Sequence, residues 1–280
     1  MMAIVTISQG PYTHGREIAK KLAERLNYSC FSREIILETS EEFSVPENRL
    51  RKAIHDAPSI FSRFSNEKSR YLSLFRSIFM KHMVEDNVVY CGLAGHFFVQ
   101  DVEHACKVRI IEDIERRIET LRGAEKLSDE EARYQLTKDD EERRRWSLAL
   151  FNKDTWNSTL YDVVININTI TVDDAVELIA MMIERGDFDG TMQSREKMQK
   201  LNILSAVYAD LVATAPKVSA TLEDDVLVLH NLEGYLVDDA GRRKELREKY
   251  IKEYGVQDVV FDGQSHDRKD HVNTFYNLDI

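Results

Sequence analysis

The sequence is poor in cysteine and contains no long hydrophobic run. Three cysteines among 280 residues, Cys30, Cys91 and Cys106, stand far apart and have no second cysteine or histidine at ligand spacing. This spacing excludes a disulfide framework and a zinc site, and predicts reduced, partly buried thiols. No segment approaches the roughly 18 apolar residues of a membrane span, and no basic N-terminal segment leads into an apolar one. We therefore expect a cytoplasmic protein without a transmembrane segment.

Positive charge is also scarce. The chain has 38 lysines and arginines against 49 aspartates and glutamates, a formal net charge of −11. General binders of nucleic acid or of anionic membranes usually carry a broad basic surface, so we expect neither as a general partner. A phosphate site would need a local basic cluster. The 43% of hydrophobic residues is typical of a globular protein that buries a core.

The chain opens with a predicted strand, loop and helix. A run rich in β-branched residues, AIVTIS, covers 3–8, and apolar residues at helical spacing follow it up to Leu26. Each further apolar run lies next to a predicted helix, which is typical of an α/β fold with a parallel sheet and helices on both faces. These further runs cover 86–95, 106–111 and 161–166. After the last run, Thr171 and Asp174 stand at capping-box spacing.

The loop after the first strand has the glycine spacing of a phosphate-binding loop. In GPYTHGRE, Gly10 and Gly15 stand at the interval of the pattern G-x-x-x-x-G-K-[ST]. In that pattern backbone N–H groups and the helix dipole hold phosphate, while Lys reaches the outer phosphates and a hydroxyl binds Mg²⁺. Here Arg16 keeps the positive charge, and Glu17 replaces the hydroxyl residue.

Two interpretations of this loop follow from the residues alone. Glu17 either holds Mg²⁺ through its carboxylate or a water, or is a first-turn acidic residue that favours the helix dipole. Tyr12 and His14 make the loop bulkier than a glycine-rich one. The loop is thus either a phosphate site or an ordinary βα turn. His14 by itself is predicted to be a solvent-facing residue rather than an acid or a base.

Two helical insertions separate the predicted strands. In 46–84 aromatic residues recur at near-helical intervals, which predicts either a core-facing stripe with solvated arginines or a flap over a substrate. The aromatic residues are Phe61, Phe64, Tyr71, Phe75 and Phe79, and the arginines are Arg63, Arg70 and Arg76. The second insertion begins at a capping-box pattern, Ser128 and Glu131. Its later part, EERRR, by itself predicts a solvated helix face with Glu/Arg pairs.

The composition changes after Gly186. Residues 187–194 are polar and contain a glycine, which predicts a linker between a domain at 1–186 and a second domain. Residues 195–262 predict a helix, two strands, a helix and a last strand, the αββαβ order of a small α+β domain. The polar residues 263–280 are predicted to form a frayed tail.

Several stretches of the first 185 residues together resemble the cytidylate kinase-like family of P-loop proteins. In order, they are VTISQGPYTHGREIAKKLAERL, FSREII, VVYCGLAG, KVRIIEDIERRIE, KDDEERRRWS and LYDVVININTITVDDAVELI. The resemblance implies a five-stranded parallel sheet, ATP and Mg²⁺ at the first loop, and an arginine-bearing lid. It also implies a helical flap that binds a monophosphate, at 46–84.

The resemblance assigns roles to single residues. Asp140 and Arg143 match the D-x-x-R pattern of the lid, and such an arginine stabilises the charge on a transferring phosphoryl group. The implied catalytic residues are Arg16, Arg143, Arg144 and Arg145. The residues implied to bind nucleotide are Gly10, Tyr12, Thr13, His14, Gly15, Arg16, Glu17 and Arg116, the last near the base or the lid hinge.

Three positions depart from the family pattern. PYTHG stands where members often have YGSGG, Ser32 stands where they have Asp, and Leu93 stands where they have Arg. The last two changes remove polar side chains that would contact a substrate. The sequence therefore supports the fold more strongly than the activity.

Residues 195–262 resemble a BON domain, a small αββαβ module that binds phospholipid surfaces or other ligands. The resemblance lies in VLVLHNLEG, where Gly234 follows the second strand, and in YGVQDVVF, where Gly255 precedes the last strand. It implies a protein or lipid ligand for this domain. Because no export signal precedes it, we expect a cytoplasmic sensing or docking role.

The sequence thus predicts an ATP-dependent nucleotide kinase that transfers a phosphoryl group to a small acceptor. The alternative is a catalytically degenerate protein that senses nucleotide and binds a partner through its C-terminal domain. A third option is a scaffold that binds no nucleotide. The acceptor stays open, because nothing in the sequence recognises a cytosine edge.

Overall fold

Five parallel strands form the sheet of an N-terminal unit. The strands are β1 (Ile4–Gln9), β2 (Ser29–Phe31), β3 (Val88–Cys91), β4 (Ala105–Ile111) and β5 (Val163–Asn166). Their spatial order is β2-β3-β1-β4-β5, so β1 is central and Ile4 pairs with both Val88 and Ala105. The computed structural model describes residues 2–55 and 66–262 of the chain.

Within residues 2–55 and 66–184, eight helices connect and cover these strands. They are α1 (Gly15–Leu26), α2 (Glu34–Glu42), α3 (Glu47–His55), α4 (Asn66–Met83), α5 (Gly95–Phe98), α6 (Ile114–Ala124), α7 (Asp129–Phe151) and α8 (Val172–Glu184). The side chains of β1 alternate, because successive residues of a strand point to opposite faces. Val5 and Ile7 pack with α1 and α8, whereas Ile4 packs with α4. The predicted parallel sheet with helices on both faces is confirmed.

Two strand predictions differ from the structure. The run 86–95 forms a strand only at Val88–Cys91, because Asp86 and Asn87 have left-handed backbone angles of 57° and 51° before it and a turn follows it. The three-residue strand β2 was not identified among the apolar runs. It is too short, and too exposed, to produce a periodic pattern.

The aromatic stripe faces the core wherever the structure describes it. Tyr71, Phe75 and Phe79 are at most 5% exposed and pack in the cluster beneath the sheet. Arg76 is also buried, with its guanidinium carbon 5.7 Å from the centroid of the Phe98 ring, so the prediction of a solvated arginine is wrong there. The other predicted members, Phe61, Arg63 and Phe64, lie outside the described residues.

The C-terminal unit follows the predicted αββαβ order with one short helix added. Its elements are α9 (Met192–Leu211), β6 (Ser219–Glu223), β7 (Val226–His230), α10 (Tyr235–Asp238), α11 (Ala240–Tyr254) and β8 (Asp258–Phe261). Strands β6 and β7 are antiparallel, and β7 and β8 are parallel. No helix within 2–55 or 66–262 has the length and apolar character needed to cross a membrane.

Helix α9 belongs to the cores of both units. It begins at Met192, within the segment predicted as a linker, behind a capping box made by Thr191 and Ser194. Its residues Met198 and Leu201 pack in the N-terminal cluster with α4, whereas Val207 and Leu211 pack in the C-terminal cluster. One helix therefore contributes apolar side chains to both units.

Candidate functional site

The phosphate loop, residues 10–17, lies at the C-terminal end of the central strand. Tyr12 adopts a left-handed backbone with φ of 56°, which turns the chain back toward α1. The Thr13 hydroxyl donates a hydrogen bond to Gln9 Oε1 at 2.8 Å. A Cβ atom at Gly15 would overlap the Gln9 side chain. The loop therefore requires a small residue where it enters the helix.

The start of α1 differs from the starts of three other long helices. Helices α7, α8 and α9 begin with capping boxes, in which a side chain accepts a bond from the backbone of the first turn. Among the described residues, no side chain caps α1 behind His14. Uncapped N–H groups and the positive end of the helix dipole favour an anion at this position.

Two arginines reach the sheet edge beside the loop. Arg143 of α7 donates from Nη1 to the Gln9 carbonyl at 2.7 Å, and Arg109 of β4 donates from Nη1 to Ser8 Oγ at 2.8 Å. Burial lowers the pKa of Arg143 from its usual value, although a guanidinium remains charged at neutral pH. These contacts supply the local positive charge that a phosphate site needs in a chain of net negative charge.

A third arginine joins helix α7, which carries the predicted lid arginines, to the loop. Arg117 of α6 donates from Nε to the Pro11 carbonyl at 3.0 Å and makes two bonds to the Asp140 carboxylate at 2.8 and 3.0 Å. The Arg117 side chain is only 8% exposed. A Cβ atom at Gly10 would lie 3.3 Å from the Arg117 guanidinium carbon, so loop and lid are in close contact.

The residues predicted to bind nucleotide do not all point into one site. Arg116 donates from Nη1 to the carbonyls of Ile167 and Asn168, both at 2.8 Å, and so binds the loop before α8. Glu17 is about half exposed and pairs with Lys21 at 3.1 Å. The structure therefore places Arg116 at the β5–α8 loop and leaves the Glu17 carboxylate at the surface.

Two aromatic groups of the loop have partners elsewhere. His14 Nδ1 lies 3.0 Å from the buried Glu112 carboxylate, so His14 is not simply solvent-facing as predicted. The Tyr12 hydroxyl donates to Glu125 at 2.7 Å. This hydrogen bond, together with burial, raises the pKa of Tyr12 to about 12. Both contacts hold the loop against residues far away in sequence.

The three consecutive arginines of the lid separate in the structure. Arg143 points to the loop, whereas Arg144 donates to Asp154 at 2.8 Å and lies 4.8 Å from the centroid of the Trp156 ring. Arg145 is 67% exposed and pairs with Glu141 on the same helix. The structure brings Arg143 together with the loop and places Arg145 on the outer side of α7.

Sequence reasoning missed three residues at this edge: Arg117, Arg109 and Glu112. Arg117 directly follows Arg116, and only the orientation of α6 decides which of the two is buried. Arg109 lies in the run KVRII, where a charged residue inside an apolar strand was the available signal. Glu112 ends the same stretch, and a polar residue at the carboxyl end of a parallel strand commonly marks a site.

Among the described residues, cavities adjoin the phosphate loop on several sides, and three of them bear on its function. The Arg16 cavity, of about 310 Å³, lies toward β3, α2 and α3, and its lining includes Arg16, Arg33, Arg51, Leu93 and Arg143. The Arg116 cavity, of about 290 Å³, is lined by His14, Glu112, Arg116 and residues 167–172. The Trp156 cavity, of about 420 Å³, is lined by parts of the loop, β4, β5, the lid and the segment that holds Trp156.

The residues at the loop could contribute one ligand to a magnesium ion. No cluster of three or more His, Cys, Asp or Glu side chains suited to a metal occurs in residues 2–55 and 66–262. Mg²⁺ commonly takes only one or two carboxylates and completes its shell with phosphate oxygens and waters. The accessible carboxylate of Glu17 fits that limited role.

Solved structures are similar to about two thirds of this chain. An uncharacterized protein from Eubacterium ventriosum ATCC 27560 is 20% identical, with a TM-score of 0.51, and the match covers 66% of this chain and 99% of that one. Shikimate kinase from Bacteroides thetaiotaomicron is 14% identical with a TM-score of 0.43, and the match covers 66% of this chain and 99% of that one. Dephospho-CoA kinase from Campylobacter jejuni is 15% identical with a TM-score of 0.33, and the match covers 65% of this chain and 98% of that one. The first likeness shows the fold alone.

No curated protein is significantly similar to the chain. The family model of the cytidylate kinase-like family matches residues 4–169. The matched stretch contains the phosphate loop, the whole five-stranded sheet and the lid helices. It also covers more than half of the chain, so this protein belongs to the cytidylate kinase-like family.

Proposed function

We propose that this protein is an ATP-dependent phosphotransferase of the nucleotide kinase type. One observation carries the proposal: Arg16 of the phosphate loop and Arg143 of the lid line the same cavity, beside the uncapped start of α1. Two guanidinium groups there would offset the charge of a phosphoryl group in transfer between donor and acceptor.

The donor nucleotide would lie across the phosphate loop. Backbone N–H groups of the first turn of α1 and the Arg16 side chain would hold the phosphates. The Arg116 cavity would take the base, because it lies on the opposite side of the loop from the Arg16 cavity. Glu17 would be the residue that holds Mg²⁺ at the loop, and the ion would offset the negative charge of the phosphates.

Arg143 would act by position more than by flexibility. Its hydrogen bond to the Gln9 carbonyl and its burial restrict the side chain before any ligand binds. A donor that is already oriented toward the developing charge needs little reorganisation during the reaction. Arg144 and Arg145 stay predictions, with Arg144 near the Trp156 cavity and Arg145 at the surface.

The Arg16 cavity would bind an anionic acceptor. Arg33 and Arg51 line it and share the Glu47 carboxylate, at 2.8 and 2.9 Å. Arg16 and Arg143 have no carboxylate within ion-pair distance in the part of the chain that the structure describes. A phosphate-bearing small molecule would balance these two charges, and the oxygen of its acceptor group would receive the phosphoryl group.

Calorimetric titration of MgATP, followed by a phosphoryl-transfer assay with nucleoside monophosphates, tests this proposal. We expect saturable binding that Arg16→Glu abolishes. Arg143→Ala should lower kcat by about 10²–10³, the cost of removing one oriented donor from a transition state. Lys138→Ala, on the exposed side of α7, is the matched control. Unchanged transfer in Arg143→Ala would contradict the assignment.

A second candidate function is nucleotide sensing without turnover. Ser32 and Leu93 line the Arg16 cavity, and these are the positions where the family pattern has polar substrate contacts. Helix α9, shared by the two cores, would then transmit nucleotide occupancy to the C-terminal unit. This alternative predicts MgATP binding with no transfer to any monophosphate. Arg143-dependent turnover would exclude it.

The C-terminal unit would carry the partner-binding role in that alternative. Its BON-like character, its domain limits at 195–262 and its lipid or protein ligand remain predictions. Co-sedimentation of the full chain with phosphatidylglycerol vesicles, against phosphatidylcholine vesicles as a control, tests the lipid arm. Binding to the anionic vesicles alone would support a lipid ligand, and binding to neither would leave a protein ligand as the prediction.

A further inference from the structure

A two-substrate transfer needs two sites, and among the described residues at least three cavities adjoin the phosphate loop. The Arg16 cavity and the Arg116 cavity serve the proposed acceptor and donor. The Trp156 cavity is left without a role, although its volume of about 420 Å³ is within the usual range for small-molecule sites. It lies over the face of β4 and β5 opposite α8, under the lid.

The Trp156 cavity has an apolar floor that is open to solvent. Ile111 of β4 and Val164 of β5 are each 39% exposed, and both line the cavity. Trp156 at its side is 58% exposed. Exposed apolar groups that line one concave surface indicate a binding site more strongly than scattered ones do.

Two arginines line this cavity, and one of them, Arg117, is paired with the Asp140 carboxylate. The Glu112 carboxylate, also in the lining, lies beside His14. The other arginine is Arg109.

Arg109 lies with its guanidinium carbon 5.8 Å from the centroid of the Tyr161 ring and donates to the neutral Ser8 hydroxyl. Within the described ranges, no carboxylate lies within ion-pair distance of Arg109. Burial, and after it the charge of Arg109, lowers the pKa of neighbouring His96 to about 3. The positive charge of Arg109 therefore acts on the pKa of His96, and no ion pair among the described residues neutralises this charge.

We propose that the Trp156 cavity binds a small organic anion with a planar apolar body. Its carboxylate would accept bonds from Arg109, and its body would lie on Ile111, Val164 and the Trp156 ring. Such a ligand satisfies a partly buried guanidinium and removes apolar surface from water at the same time. Gly10 and Thr13 of the phosphate loop also line the cavity, so this site adjoins the proposed nucleotide site. The proposed ligand contacts other residues, and its binding does not rest on the proposed function.

The probe for this site is 2-naphthoate, with 2-naphthamide as its neutral isostere, titrated into the full chain by ligand-observed NMR. We expect 2-naphthoate to bind at least tenfold more tightly than the amide. Arg109→Gln should abolish this difference between the two probes. Trp156→Ala should weaken both probes by removing the aromatic wall. Tyr134→Ala, another exposed aromatic residue of the same unit, is the matched control and should change neither affinity.

Three results would overturn the proposal. Equal affinity for the acid and the amide would show that Arg109 does not recognise the anion. Unchanged binding in Trp156→Ala, a variant at an exposed position that is expected to fold, would place the probe elsewhere. Displacement of 2-naphthoate by saturating MgATP would assign the cavity to the nucleotide, whereas retained binding under saturating MgATP supports a separate site.

Discussion

The two units of the molecule use their positive charges differently. In the N-terminal unit, Arg143 and Arg117 are held against backbone carbonyls of the phosphate loop region and are largely removed from solvent. In the C-terminal unit, Arg247 is 52% exposed and pairs with Asp258 across the surface. Guanidinium groups fixed beneath a surface are costly unless they serve a ligand or a network, whereas exposed pairs cost little. Anion chemistry is therefore expected in the N-terminal unit.

The apolar cores of the two units are equally closed. Leu227 and Tyr250 in the C-terminal cluster have no exposed surface, and neither do Ile4 and Val5 in the N-terminal clusters. The N-terminal unit is open at the carboxyl ends of its strands, where cavities adjoin the phosphate loop. An open strand edge of this kind fits ligand binding.

The largest expected difference concerns thiol reactivity. Burial raises the pKa of Cys91 and of Cys106 to about 12, so both thiols stay protonated at pH 8. Burial also raises the pKa of Cys30, but Cys30 is exposed and accessible to reagent. We expect a disulfide reagent to label Cys30 quickly and the other two about 10³-fold more slowly, because they react only when the N-terminal unit opens. Equal labelling rates for all three thiols in the native protein would contradict this prediction. Rapid labelling of all three thiols in denaturant is the control.

The next effect is on the Arg117–Asp140 pair. Arg117→Ala would leave the Asp140 carboxylate beside the loop without its partner, at a cost of about 3 kcal/mol in the free energy of unfolding. Both tryptophans, Trp146 and Trp156, lie in the N-terminal unit, so their fluorescence reports on its unfolding by denaturant. The double variant with Asp140→Ala should recover part of the loss. A cost below ~1 kcal/mol would mean that the pair is not effectively buried.

Alanine substitutions at buried leucines of α9 test whether the helix stabilises both units. Leu201→Ala should destabilise the N-terminal unit by about 2 kcal/mol, because Leu201 packs in the cluster with α4. Leu211→Ala is the matched control, because Leu211 lies on the same helix but packs in the C-terminal cluster. The C-terminal unit contains no tryptophan, so we expect this variant to shift the unfolding transition seen by far-UV circular dichroism more than the one seen by tryptophan fluorescence. A tryptophan transition that Leu201→Ala does not shift would show that the N-terminal core is complete without α9.

The smallest expected effect is at the surface of the C-terminal unit. Arg247→Ala removes an ion pair between two partly exposed groups, so the free energy of unfolding should change by less than about 1 kcal/mol. Thermal unfolding at low and high salt measures it. If Arg247→Ala lowered the free energy of unfolding as much as Arg117→Ala does, ion pairs would stabilise the two units equally, and the proposed difference between the units would be wrong.

Much of the fold was predictable because its signals are local. The capping boxes at Ser128 and Thr171 are confirmed, and each depends on residues three positions apart. The central strands were identifiable because they are buried on both faces and therefore mostly apolar. Strand β2 was not, because its three residues are partly exposed and form no period.

The candidate site was less predictable, because its contacts join distant residues. His14 meets Glu112 across 98 positions of the chain, and Arg143 meets Gln9 across 134. Neither pairing follows from periodicity or composition. The D-x-x-R pattern of the family resemblance matches Asp140 and Arg143, and we predicted Arg144 and Arg145 only as its extension. In the structure the side chains of Arg144 and Arg145 point away from the loop.

The sequence by itself determined the order of the four apolar strands of the large sheet, the glycine interval of the phosphate loop and the helix starts behind Ser128 and Thr171, because each depends on neighbouring residues. Only the tertiary structure decided which arginine of the pair Arg116 and Arg117 is buried, since that depends on the rotation of α6 against the loop. It also decided that Arg109 stands in an open cavity, because a cavity is bounded by elements that meet only when the chain has folded.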